Sequence, residues 1–331
     1  GIVDGDFDKT NDAVSLFFKG DISEIELNKY VYKNIDLEGL FMDKMFDGLM
    51  SINDPNLKFA FSGRIDLNNE LPVFDFDLKL DNALPGNLNL SAKFPKAQMA
   101  FEMKANFEGN EIDNLDGSIV FKNGRYSNRN GQLDFEEMVL KSTTQDSTKN
   151  LTFESDYLDF VADGQYHFQS FLNALKKDVQ KFIPAIRYQI QENEKPNVFD
   201  YRINIHTLDE FTQVFAPDLK FETPFLLYGS VNSEKQDFQL AGSIPGFIYK
   251  NYLVQNVFLN NKTINNNYSS KLRFGEVQHK NGYKIFDFTV ESLAANNMIN
   301  NKIHWFNNSD STANSVLKTK AVFSRSDKAE Y

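Results

Sequence analysis

The chain has no cysteine, which removes thiolate metal sites, thiol nucleophiles and a disulfide framework. Histidine is scarce: His167, His206, His279 and His304 are the four, far apart, with no His partner at metal-ligand spacing. They read as strand residues. Positive charge is short as well, with 35 Lys and Arg against 46 Asp and Glu and a net charge of -11. No basic cluster offsets it along the chain, which argues against nucleic acid, whose phosphates need gathered Lys and Arg. No stretch approaches the ~20 apolar residues of a membrane-spanning helix, and no signal peptide opens the chain. A Gly-rich phosphate loop, a Gly-x-Ser-x-Gly elbow and an arguable Ser/His/Asp set are all missing. Asp4-Gly5-Asp6-Phe7-Asp8 begins like a calcium loop, but Lys9 stands where Gly is needed and Ser15 where the bidentate Glu belongs. The sequence therefore points to no catalytic residue, no metal and no cofactor.

Phenylalanine is plentiful, with 32 residues set among Asp, Asn and Lys. The stretch from Leu57 to Leu80 shows the arrangement. Leu57, Phe59, Phe61 and then Ile65 alternate with Lys58, Ala60 and Ser62. After a turn through Asn68–Pro72, Phe74, Phe76, Leu78 and Leu80 alternate with Asp75, Asp77 and Lys79. Side chains change face at every strand residue, so this spacing predicts two strands with one apolar and one charged face. Asp75 and Asp77 fall on the wet face, where a carboxylate is catalytically idle.

A second pattern places glycine within the apolar phase: Phe18-x-Gly20-x-Ile22, Leu37-x-Gly39-x-Phe41, Phe61-x-Gly63-x-Ile65, Leu115-x-Gly117-x-Ile119, Leu227-x-Gly229-x-Val231 and Leu240-x-Gly242-x-Ile244. A missing side chain on that face lets a sheet curl or another backbone approach. The remaining alternation runs through Leu88-Leu90-Ala92-Phe94, Met99-Phe101-Met103-Ala105-Phe107, Ile119-Phe121 and, late in the chain, Phe238-Leu240 and Phe286-Phe288-Val290. Turns are expected at Lys122-Asn123-Gly124 and at Asn130-Gly131. Ser170 can cap a helix with Phe171, Leu172, Leu175, Val179, Phe182 and Ile183 on one face, stopped by Pro184. Thr207-Leu208-Asp209-Glu210 opens a shorter helix through Phe215, closed by Pro217. Tyr32-Lys33-Asn34 and Tyr249-Lys250-Asn251 suggest a loose internal repeat. Residues 1–196 are expected to form a first groove segment ending in the helix and a linker near Gln189–Pro196, and 197–331 a second with a polar tail.

The expected fold is mainly β: an elongated, curled antiparallel sheet, open as a groove, with one or two short helices. A sheet must bury its apolar face against a second sheet, helices or a ligand, and there is too little helix here. An open trough would be lined by Leu57, Phe59, Phe61, Ile65, Phe74, Phe76, Leu78, Phe101 and Met103, and by Phe238 and Leu240 later in the chain. Such contacts are non-directional and suit acyl chains that slide. The rival is a closed sandwich, a non-enzymatic binding module or adhesin of the cell envelope. The mid-chain helix, irregular strand spacing and lack of aromatic girdles argue against an outer-membrane barrel.

Several successions together resemble the translocation and assembly module subunit TamB family as it occurs in Bacteroidota. They are Tyr32-Lys33-Asn34-Ile35-Asp36-Leu37-Glu38-Gly39, Ile52-Asn53-Asp54-Pro55-Asn56-Leu57, Pro72-Val73-Phe74-Asp75-Phe76, Ser155-Asp156-Tyr157-Leu158, Phe225-Leu226-Leu227-Tyr228-Gly229-Ser230 and Ile303-His304-Trp305. The resemblance covers nearly the whole chain in order. It implies an internal fragment of a periplasmic protein that is anchored in the inner membrane and is similar to AsmA-like, bridge-type lipid-transfer proteins. It also implies phospholipid acyl chains as cargo, help in outer-membrane biogenesis, and a barrel assembly partner reached through parts of the full-length protein outside this chain. Gly1-Ile2-Val3-Asp4 reads as mid-pattern and Ser324–Lys328 as a polar tail, as expected of a piece. Two copies of such a piece could pair edges or troughs as a homodimer.

Overall fold

The computed structural model describes residues 3–4, 7–10, 13–146, 148–186, 195–264, 267–309 and 311–324. Among these, the strands form one long antiparallel sheet that is not closed, accompanied by two α-helices. The chain divides into two compact units, the first made of residues 1–143, 152–156 and 210–217, the second of 144–151, 157–209 and 218–331. Most of the expected linker at Gln189–Pro196 lies outside the described residues, as do Gly5 and Asp6 of the Asp-rich start and all of the tail after Ser324.

The first unit is a succession of neighbouring strands: β1 (Val3–Asp4), β2 (Phe7–Thr10), β3 (Ala13–Leu27), β4 (Tyr30–Met42), β5 (Met45–Asp54), β6 (Leu57–Asp66), β7 (Val73–Ala83), β8 (Gln98–Glu108), β9 (Asp116–Asn128) and β10 (Gly131–Gln145). From β3 to β10 each pairs with the next in antiparallel register. The two strands read from the Leu57–Leu80 alternation are β6 and β7. β11 (Thr148–Ser155) carries residues of both units. The second unit continues with β12 (Leu158–Gln165), the helix α1 (Phe168–Phe182) and β13 (Val198–Ile205). The helix α2 (Asp209–Phe215) follows and belongs mainly to the first unit. Then come β14 (Leu219–Glu222), β15 (Phe225–Asn232), β16 (Asp237–Tyr249), β17 (Tyr252–Ile264), β18 (Asn267–His279), β19 (Lys284–Ala295), β20 (Met298–Phe306) and β21 (Asn314–Val322).

Three local expectations are corrected. Lys122-Asn123-Gly124 is not a hairpin turn but lies inside β9. Asn123 takes a φ of 51°, and the ladder to β8 steps from Ala100↔Arg125 to Glu102↔Lys122, which leaves one extra residue on β9. Pairing continues on both sides, so the left-handed residue makes a bulge instead of reversing the chain. Leu88-Leu90-Ala92-Phe94 is a turn-rich connection between β7 and β8 rather than a strand. Pro85 supplies its carbonyl to the N–H groups of Leu90 at 2.8 Å and Ser91 at 3.2 Å, which closes the backbone on itself. Finally, α1 begins at Phe168, before Ser170. The buried Asn197 side chain accepts the His167 N–H at 2.8 Å and donates to the Ser170 hydroxyl at 3.0 Å, so a distant residue organises this helix start.

Candidate functional site: the apolar face of the sheet

The register turns the alternating sequence into rows that cross the first unit. One runs Ile52–Phe59–Leu80–Phe101, the next Leu37–Met50–Phe61–Leu78–Met103–Phe121, and a third Gly39–Gly48–Gly63–Phe76–Ala105–Ile119. Cross-strand partners share a face, so these rows form one apolar surface. Rings continue across it: Phe46 and Phe61 lie 5.9 Å apart, Phe61 and Phe76 5.1 Å, and Phe74 and Phe107 4.7 Å. Each such pair contributes about 0.5–1.5 kcal/mol beyond area burial.

The glycines let the backbones meet. At Gly63, φ is +140°, and a Cβ would stand 2.3 Å from the Asp75 carbonyl oxygen and 2.5 Å from the Phe76 Cα. Gly117 repeats this against Asn106 and Phe107 with φ at +128°. The structure also supplies what the motif did not name: the residue opposite the glycine is repeatedly aromatic. Gly63 faces Phe76, Gly117 faces Phe107, Gly124 faces Phe135, Gly164 faces Phe199 and Gly229 faces Tyr201. The ring covers backbone that glycine leaves bare.

The residues singled out in the sequence fall into separate neighbourhoods. Leu57, Phe59, Leu78 and Phe101 pack around a cluster that includes Leu80, Tyr32 and Ile35 and is covered by Leu88 of the β7–β8 connection. Phe61 joins the ring series with Phe76, and Phe74 stands across from Ile65. Met103 follows Leu78 in the central row. Phe238 and Leu240 are on β16 in the second unit. Phe61 is 7% exposed, but Leu57, Phe59, Ile65, Phe74, Phe76, Leu78, Phe101, Met103, Phe238 and Leu240 are all half-buried.

A cavity of about 920 Å³ crosses β3–β9 at the Leu37–Met103 row. Both chain neighbours of each apolar residue line it, and at its end Val120 and Lys122 take part while Phe121 between them does not. The Phe121 ring instead meets Phe101 at 5.5 Å on the apolar side. The cavity therefore opens on the charged face, over the backs of the apolar row. Ser51, Ala60 and Ser62 make room there, and small residues in the charged phase were the available sequence signal. Lys19–Glu38 at 2.9 Å and Lys104–Asp77 at 3.5 Å are exposed ion pairs worth about 0–1 kcal/mol each. Asp21 is raised above the ordinary carboxyl range by its hydrogen bond to Asp36 and by that neighbour's charge.

In the second unit, α1 packs on the sheet. Phe182 and Ile183 are buried with Ala294, and Ile186, Tyr268, Ile299 and Phe323 surround them. The Phe182 carbonyl accepts the Asn297 N–H at 3.0 Å. Phe168 and Phe171 of the helix each lie 6.1 Å from Phe199 on β13. Tyr201 donates to the Gln239 carbonyl at 2.9 Å, and burial pushes its phenol up to about 12, with Tyr268 adding to the shift. Above the ordinary tyrosine value near 10 the unfolded chain releases this proton before the folded one does. The associated stability is full below that pH and is lost as pH rises toward 12. Tyr201→Phe is expected to flatten that alkaline loss, read from urea midpoints across the window. An unchanged slope would assign the loss to other groups.

Among the described residues, no three His, Asp or Glu side chains converge as metal ligands, and no helix is long and apolar enough to cross a membrane. His206 meets Asp159 at 2.8 Å as an exposed pair. Compared with family models, curated proteins and solved structures, the chain matches none.

Proposed function

We propose that this chain is a segment of a TamB-like, bridge-type lipid-transfer protein of the periplasm, and that the apolar face of its sheet is a passive path for phospholipid acyl chains between the inner and outer membranes. The observation that carries this reading is partial burial. Phe59, Phe74, Phe76, Leu78, Phe101 and Met103 lie at the middle of the sheet yet remain half-buried. A sandwich core would bury them under a second sheet, and β3–β10 are instead consecutive neighbours in one sheet. Apolar contact at roughly 25 cal/mol per Å² holds an acyl chain without fixing its position, which suits movement along a path. Nothing in such a path requires a reacting group, so the proposed action is not enzymatic.

The test is photo-crosslinking during expression in a Gram-negative envelope. A benzoylphenylalanine placed at Phe76 keeps an aromatic ring at that position and is expected to yield phospholipid adducts, detected by mass spectrometry. The same group at Asp77, on the opposite face, is expected to yield none. Equal labelling at both positions, or none at Phe76 in a folded protein, would remove the acyl path and favour a packed module.

A further inference from the structure

We infer that the paired hairpin tips at one end of the second unit form a docking surface for an anionic phospholipid bilayer. Two turns lie side by side there: Tyr249-Lys250-Asn251-Tyr252 between β16 and β17, and His279-Lys280-Asn281-Gly282-Tyr283 between β18 and β19. The Lys280 N–H donates to the Asn251 carbonyl at 2.9 Å, and the Tyr252 and His279 rings are 4.8 Å apart, so the tips form one surface. Tyr283 is 77% exposed, Tyr252 48% and Tyr249 47%. Four tyrosines are exposed among the described residues, and three of them are here. Rings standing in water at hairpin tips contribute little to the fold, whereas an apolar body with a polar end suits the boundary between head groups and acyl chains.

Charge specifies the partner. The chain carries a net charge of -11, which by itself repels an anionic membrane. At the tips the balance reverses. Lys220 on β14, Lys250, Lys280 and Lys284 stand at this end against Asp218, Glu222 and Glu276, and Glu276 is engaged by Lys284 at 2.6 Å. Lys250 stands 5.3 Å from the Tyr249 ring centroid, and neither Lys250 nor Lys280 is ion-paired among the described residues. The sequence hid this cluster because its lysines come from separate turns. Basic residues at an anionic surface attract, and aromatic rings anchor. The surface uses side chains outside the proposed acyl path, so it stands even if that path carries no lipid.

The experiment is sedimentation of the purified chain with vesicles of phosphatidylglycerol and phosphatidylcholine, beside vesicles of phosphatidylcholine alone. The chain is expected to pellet with the anionic vesicles and to be released as salt rises toward about 0.5 M. Lys250→Ser and Lys280→Ser should each weaken binding about fivefold. Tyr252→Ser with Tyr283→Ser should weaken it further, with circular dichroism unchanged. Lys58→Ser with Lys96→Ser removes equal charge elsewhere and should leave binding as it was. No pelleting, equal pelleting with neutral vesicles, or equal losses from the control pair would overturn the proposal. So would pelleting without vesicles that the tip variants abolish, which would make the surface a contact between copies.

Discussion

Gly63→Ala is expected to destabilise the first unit by about 3 kcal/mol or more, a large effect for one methyl group. Two costs combine. With φ at +140°, the backbone sits where L side chains rarely go, and the new Cβ would meet the Asp75 carbonyl and the Phe76 Cα at 2.3 and 2.5 Å. Both are backbone atoms of the paired strand, so relief requires opening the β6–β7 ladder where the rings of Phe61 and Phe76 meet. Gly282→Ala separates the costs: its φ is +89°, but nothing lies within 4 Å of the added atom. That variant should lose about 1 kcal/mol, from conformation alone. Urea unfolding of both proteins is the measurement. Similar losses at the two sites would mean that close approach at Gly63 contributes little and that the sheet there can relax.

Asp54→Ala is expected to destabilise by about 3 kcal/mol, through a different mechanism. Asp54 ends β5 and is 1% exposed, yet it is a carboxylate. It accepts hydrogen bonds from the Tyr30 hydroxyl, from the Lys33 N–H at 3.2 Å and from the Asn56 N–H at 2.8 Å. Asn56 also donates its side-chain amide to the Tyr30 oxygen at 2.9 Å, so the β3–β4 and β5–β6 turns are tied at one buried point. Alanine would leave three donors without the buried carboxylate that now accepts from them. Asp54→Asn retains one acceptor oxygen but turns an amide toward those donors, and should lose less, about 1–2 kcal/mol. Tyr30→Phe removes a single donor and should fall lowest in the series. An asparagine variant as unstable as the alanine would mean that charge, rather than acceptor count, holds the turns.

The Asp54 point shows why one polar motif could be noticed in the chain but not understood there. Ile52-Asn53-Asp54-Pro55-Asn56-Leu57 carries the turn between β5 and β6. That its carboxylate faces inward follows from Tyr30 and Lys33, which belong to another hairpin. Asn197 teaches the same lesson at α1: from local spacing Ser170 should open the helix, but the long-range amide moves the start to Phe168.

The sequence by itself determined the sheet, its two chemically different faces, and the strands β6 and β7. Period-2 alternation is a local property, and no distant contact is needed to read it. It also marked glycine positions within the apolar phase. Tertiary structure alone decided which aromatic ring each glycine faces, that Asn123-Gly124 bends a strand rather than ending it, and that Leu88 folds back over the apolar cluster. It also decided that Lys250 and Lys280 share one surface. These outcomes depend on register and on side chains from strands far apart in the chain, and cross-strand neighbours are set by pairing rather than by proximity in sequence.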